Sequence, residues 1–200
     1  MEIPDVQYAR SGELSIAYQV VGAGPLDVIS VPPISHLELA WESAAQAQFF
    51  DRLSSLCRLI MLNQRGAARL AAVQALYQMD VGRQTLEDTL SQFSAHMLGR
   101  EVEGEQYLPA DADFFKQIVT GVIRSQLDID PTIDKALSND WPVGRIDATL
   151  RAILRAAAFE LLRRRDIPAG VVITEYVDIA KAFYEDDAPG MVHAVLDAIA

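Results

Sequence analysis

Cysteine, histidine, aromatics and positive charge are all scarce in this chain. Its one cysteine, Cys57, cannot close an internal disulfide. The three histidines, His36, His96 and His193, stand far apart, and none has metal-ligand spacing. Lys and Arg number 17 against 28 Asp and Glu, a formal charge of −11. The protein as a whole is therefore repelled by nucleic acid and by anionic membranes, and any polyanion site has to be a local basic patch. No apolar run approaches the ~20 residues that span a bilayer. The opening "MEIPDVQYARSGELSIAYQV" lacks the basic start and apolar core of a secretory signal. These absences predict a soluble, cytoplasmic protein. Half of the residues are apolar, enough for a packed core, and 200 residues suit one ordinary domain or two small ones.

Two hydrophobic periods divide the chain. In residues 1–66, "LSIAYQVVG" (14–22) is β-branched and aromatic and runs into Gly-Ala-Gly-Pro, a turn signal. "LDVISVPP" (26–33) is a short apolar run stopped by two prolines, and "RLIMLN" (58–63) reads as another buried strand. Between them, residues 35–55 read as a helix with Leu37, Trp41, Ala45, Phe49 and Leu53 recurring every four residues. The order β, β, α, β suggests part of an α/β sheet.

From Ala67 on the pattern is helical, with no comfortable strand. Leu70, Val73, Leu76 and Tyr77 form one stripe; Phe115, Ile118, Val119, Val122 and Ile123 form a second; Ile146, Leu150, Ile153, Leu154, Ala157 and Leu161 form a third. Separators such as "DIDP", "NDWP", "RRDIP" and "DDAPG" carry Pro, Asp and Gly where helices stop or start, and Pro168 suits the first turn of a helix. The expectation is a bundle of about six or seven helices. The seam falls near Gly66, giving units 1–66 and 67–200. The first is too short to close a doubly wound sheet and leaves an edge strand open.

Three stretches of the helical part resemble the NusB family of transcription antitermination factors, over nearly all of 67–200. They are "ARLAAVQALYQMD", "RIDATLRAILRAAAFELLRRRDIPAGVVITEYVDIAKAF" and "MVHAVLD". The resemblance implies a mainly α fold, a NusB-like all-helical bundle, here preceded by a small incomplete α/β segment. It also implies pairing with NusE, a ribosomal protein of the small subunit. The pair would bind the boxA element of nascent ribosomal RNA and act on the transcribing RNA polymerase, without catalysis, cofactor, metal or membrane. "SGELSIAYQVVGAGPLDVISVPP" and "RLIMLNQRG" resemble the start of an α/β-hydrolase, but the G-x-S-x-G elbow and the downstream acid and histidine are absent. Pro33 stands where an oxyanion loop needs an N–H. This segment is expected to be chemically empty.

RNA binding needs cations for phosphates and flat or polar side chains for splayed bases. The family's arginine-rich first helix implies Arg65 and Arg69 for that role, although "MLNQ" stands upstream where relatives carry more arginines. Taken alone, these two arginines would be a solvated helix start. Tyr77 matches a tyrosine of the family's RNA and NusE surface, and reads equally as a half-buried residue one turn after Val73. Gln74 could meet a base edge, a partner or only solvent. Arg151 and Arg155 share a face of the central helix, as RNA contacts or as ion-pair partners of Glu160 or other acids. "RRR" at 163–165 fits a helix C-terminus. Lys181 and Phe183 match the family's Ala-Lys-x-Phe, with Phe183 leaning to the core. Asp187 lies where the family places RNA-proximal residues, and could instead cap a helix. "EDD" (185–187) and "EVEGE" (101–105) lack calcium-loop geometry and read as solvated loops. Two rivals remain: a bundle that only dimerises, and an esterase-like enzyme.

Overall fold

Residues 4–5, 7–11, 14–30, 41, 43–62, 64–96, 101–102, 105–106, 111–137, 142–185 and 187–200 are described by the computed structural model. Pro33, His36, Leu37 and the expected helix start at residue 35 lie outside them.

The short-period part forms a four-stranded sheet, one strand more than its apolar pattern announces. Strands β1 (Gln7–Ser11), β2 (Leu14–Val21), β3 (Asp27–Ser30) and β4 (Arg58–Leu62) lie in the order β1-β2-β4-β3. Strand β2 is antiparallel to β1 and β4, while β3 runs parallel to β4. Helix α1 (Ala44–Ser54) makes the crossover between the two parallel strands. Asp27 sits opposite Arg58 across the ladder, and the guanidinium donates to both carboxylate oxygens at 2.7 and 2.6 Å. Gly22 has φ +83°, and a Cβ there would lie 2.1 Å from the Ser54 carbonyl oxygen, so this turn requires glycine. Trp41, Phe50, Cys57, Leu59 and Met61 form a small core. The expected four-residue stripe does not hold along α1. Ala45 and Phe49 face solvent, Phe49 at 60% exposure, whereas Phe50 turns inward. Each four-residue step rotates by about 40° past a full turn, so such a stripe drifts off the buried face.

Helix α2 (Gln64–Gly82) follows β4, so Gly66, where the two hydrophobic periods meet, lies inside a helix. The bundle continues with α3 (Leu86–His96), α4 (Ala112–Ala136), α5 (Ala148–Arg163), α6 (Ala169–Phe183) and α7 (Ala188–Ile199). Its core shares no residue with the smaller one, although β2 also packs against α2. Short strands β5 (Glu101–Val102) and β6 (Glu105–Gln106) pair where only a solvated loop was expected.

The "DIDP" separator does not end a helix; α4 runs through Pro131. Proline removes the donor that would have met the Leu127 carbonyl. Leu127 is 91% exposed, so water can serve that carbonyl, while Ile129 and Ile133 stay in the core on either side. Helix α4 begins at Asp111, whose Oδ1 accepts from Phe114 N at 2.9 Å, and α5 begins at Asp147, which accepts from Thr149 N at 2.8 Å. At Gly121 a Cβ would lie 2.1 Å from the Phe159 ring, which is how closely α4 and α5 approach. Among the described residues no helix is long and apolar enough to cross a membrane.

Candidate nucleic-acid interface

Arg69, expected at an RNA surface, has no exposed area. Its position on α2 points into the bundle, where α5 and α6 bring up two acids. Nε and Nη2 donate to the two oxygens of Glu160 at 3.0 and 2.9 Å, and Nη1 donates to Glu175 at 3.2 Å. The Tyr176 hydroxyl donates to Glu160 Oε1 at 2.8 Å. Burial alone would lower the Arg69 pKa. The charges of Glu160 and Glu175 outweigh it, and the pKa is raised. Burial, then the Glu160 charge, pushes the Tyr176 hydroxyl well above its ordinary value. Arg69 is therefore a tie between three helices and out of reach of a nucleic acid. The signal that could have revealed this was the pair of acids set in apolar surroundings, "AFELL" and "ITEYV".

Arg65, one turn earlier, is about a third exposed. It meets the Asp111 carboxylate at 3.5 Å, and its guanidinium carbon lies 4.9 Å from the centre of the Phe114 ring. Arg164, from the end of α5, approaches the same ring at 5.2 Å. Its two hydrogen bonds to Asp166, both 2.9 Å, hold that carboxyl down at about 2. Arg163 pairs with Asp128 at 2.9 Å.

Twelve residues beyond Arg65, about 18 Å along α2, Tyr77 is 39% exposed. Gln74 is half-buried, and its buried carbonyl oxygen has no donor among the described residues; the same holds for Gln78, which sequence reasoning passed over. Arg151 and Arg155 lie at this end, but Glu160 is not their partner. Arg151 donates to Asp80 at 2.7 Å and to the carbonyls of Val143 and Ile146, while Arg155 holds both oxygens of Asp130 at 2.8 Å. Their side chains are only 16 and 14% exposed. Both tie α5 to its neighbours because carboxylates from α2 and α4 meet them there.

Tyr184 donates to Asp147 at the start of α5, which brings the end of α6 to the same end of the bundle as Arg151. Burial, then this bond, pushes the Tyr184 hydroxyl up to about 12, and the bond holds Asp147 below the usual carboxylate range. Lys181 is exposed and pairs with Asp178 at 2.9 Å. Phe183 is 45% exposed rather than part of the core. Asp187 occupies the N-cap position of α7 without a side-chain capping bond. The eight expected residues thus divide: Arg65 stands at one end of α2, Arg69 is interior, Gln74 and Tyr77 lie farther along α2, and Arg151, Arg155, Lys181 and Asp187 gather at the opposite end. Among the described residues no cluster of His, Cys, Asp or Glu could hold a metal ion.

The sequence matches the model of the NusB family over residues 66–200. Over 138 residues it is 61% identical to the transcription antitermination protein NusB of Rhodopseudomonas palustris strain HaA2, covering 69% of this chain and 82% of that protein. The NusB of Sinorhizobium fredii strain NBRC 101917 / NGR234 is 59% identical over 138 residues, 69% of this chain and 86% of its own. Among solved structures, T. maritima NusB superposes with a TM-score of 0.57 at 29% identity, covering 68% of this chain and 89% of that one. The antitermination factors NusB and NusE in complex with dsRNA give 0.57 at 24% identity, over 68% and 95%, a likeness of fold.

Proposed function

Since the chain belongs to the NusB family over residues 66–200, we infer that it acts in transcription antitermination and catalyses nothing. It binds boxA-like single-stranded RNA of nascent ribosomal RNA together with NusE, on the transcribing RNA polymerase. The observation that carries this is the 61% identity to an antitermination protein across 82% of that relative's length. Arg65 supplies the accessible guanidinium. Its contact with Asp111 is 3.5 Å and open to water, and such pairs contribute little. Tyr77 offers an accessible side chain at 39% exposure, with Gln74 half-buried one turn before it. Lys181 and Asp187 border the opposite end of the bundle, where Arg151 and Arg155 hold the helices in register. RNA and NusE strengthen each other's binding, a coupling that is reciprocal by linkage.

Fluorescence anisotropy with a labelled boxA-region RNA, with and without NusE, tests this. The expected results are tighter RNA binding when NusE is present and weaker binding by Arg65→Ala. A stable dimer in sedimentation with no salt-dependent RNA binding would sink the reading and favour a module that only dimerises.

Residues 1–66 form the opening of an α/β-hydrolase sheet that performs no chemistry, and 67–200 form the functional bundle. The parallel crossover β3–α1–β4 and the separate apolar core support that division. Limited proteolysis should leave a stable fragment beginning between Gln64 and Ala67. Loss of the bundle on cleavage there would refute it.

A further inference from the structure

A groove of about 440 Å³ opens between α4 and α5, at the end of the bundle that carries Arg65. Lys116, Thr120 and Arg124 line it at four-residue intervals along one face of α4, each about 6 Å from the next. Phe159 and Arg164 line it from α5. Gly121 lets the Phe159 ring lie directly against α4, and any larger residue would close that approach.

Two independent features of the groove call for a ligand. Lys116 and Arg124 are exposed and make no hydrogen bond or ion pair among the described residues. That sets them apart from Arg69, Arg151, Arg155, Arg163 and Arg164, each of which has a carboxylate. Thr120 is the second feature. A helical threonine ordinarily returns its hydroxyl to the carbonyl four residues back, as Thr132 and Thr174 do here at 2.9 Å. The Thr120 hydroxyl oxygen is buried and has no partner among the described residues. A donor without an acceptor between two cations without an anion is the complement of a phosphate oxygen. The acids nearby are Asp113, on the rim, and Asp166, which is already held by Arg164.

We propose that this groove is a phosphate-binding track that carries RNA beyond Arg65, with Lys116 and Arg124 each holding a backbone phosphate and the Thr120 hydroxyl donating between them. The proposal rests on the RNA-binding reading above. Continuity favours a strand over a small free anion, because Arg164 of the groove and Arg65 approach the same Phe114 ring, at 5.2 and 4.9 Å. Arg65 thus stands close to the Arg164 end of the groove.

The test is anisotropy of the full chain against a fluorescein-labelled RNA from the boxA region of a ribosomal leader, over a series of KCl concentrations. Each phosphate contact to a single strand contributes about 0.7 to the slope of log K against log salt. Lys116→Ala/Arg124→Ala should reduce the slope by about 1.4. Thr120→Val should weaken binding about tenfold with the slope unchanged. It should not lower the melting temperature, because the lost hydroxyl makes no bond in the free protein. An unchanged slope in the double variant, with Arg65→Ala still weakened, overturns the groove and leaves the RNA reading standing. A parent chain that binds no RNA overturns both. Binding of pyrophosphate without RNA overturns it in favour of a small anion.

Discussion

Replacing Arg69 by methionine separates two roles that the sequence left open, an RNA contact and an internal tie. The guanidinium makes three charge-assisted hydrogen bonds of 2.9–3.2 Å, to Glu160 and Glu175, with no exposed area on Arg69 or Glu160. Methionine fills similar volume, so packing changes little and the electrostatic consequence dominates. Glu160 keeps one donor, Tyr176, and loses its compensating charge. Breaking a buried ion pair from one side costs about 3–5 kcal/mol, a large part of the roughly 5–15 kcal/mol that holds a domain. At a urea slope near 2 kcal/mol per molar, the midpoint should fall by about 2 M. Urea unfolding followed by helical circular dichroism measures this. Adding Glu160→Gln removes the orphaned charge and should recover about 1–3 kcal/mol, the coupling expected of residues in contact. Where the variant remains folded, its RNA affinity should match the parent's. A loss under about 1 kcal/mol together with weakened RNA binding would refute the internal role and return Arg69 to the surface.

Gly121→Ala should destabilise the bundle by about 1–3 kcal/mol, since the new methyl would meet the Phe159 ring at 2.1 Å; a thermal melt reads the loss, and Phe159→Leu in the same chain should recover part of it. Asp111→Ala removes the cap of α4, whose Oδ1 accepts from Phe114 N, and should cost about 1 kcal/mol, read as a lower melting temperature. The Tyr184–Asp147 bond limits stability at both ends of the pH scale. Asp147 is depressed, so its contribution holds above the ordinary carboxylate range and fades as pH falls through the lowered pKa; Tyr184 is raised to about 12, so its contribution holds below about 10 and fades as pH climbs through 12. Tyr184→Phe should flatten both limbs of a stability-against-pH curve, and an unchanged curve would count against the bond.

The helices were legible because their stripes are long and regular. Leu70, Val73 and Leu76 are buried together, as are Phe115, Ile118, Val119 and Val122, and Ile153, Leu154 and Ala157. Strand β1 was not, because its place comes from pairing with β2 rather than from an apolar period of its own. Pro131 misled because a proline's damage depends on where the orphaned carbonyl lies, and a solvent-facing turn makes it cheap. Phe49 and Phe50 are adjacent, so only the packing of α1 on the sheet could choose between them. The site was harder still. A surface arginine and a buried one have the same letter, and Arg69 could be told from Arg65 only by asking which acids lay across the bundle. The groove on α4 left no motif, since Lys116 and Arg124 are single cations in a stretch whose apolar stripe draws the eye.

That distribution of partners resolves the conflict between a net charge of −11 and a polyanionic ligand. Asp80, Asp111, Asp128, Asp130, Asp166, Asp178, Glu160 and Glu175 each meet an arginine or lysine, so much of the acid is cancelled within a few ångströms of where it stands. At physiological salt the field of the remainder fades over about 8 Å. A strand lying along α4 responds to what is within that distance, Lys116 and Arg124 with Asp113 beside them, and hardly to carboxylates on distant loops. Net charge then governs the approach of RNA from afar, slowing association as salt is lowered. Local pairing governs what happens on contact. For this chain the two pull in opposite directions, so association should be slowest where the bound complex is tightest.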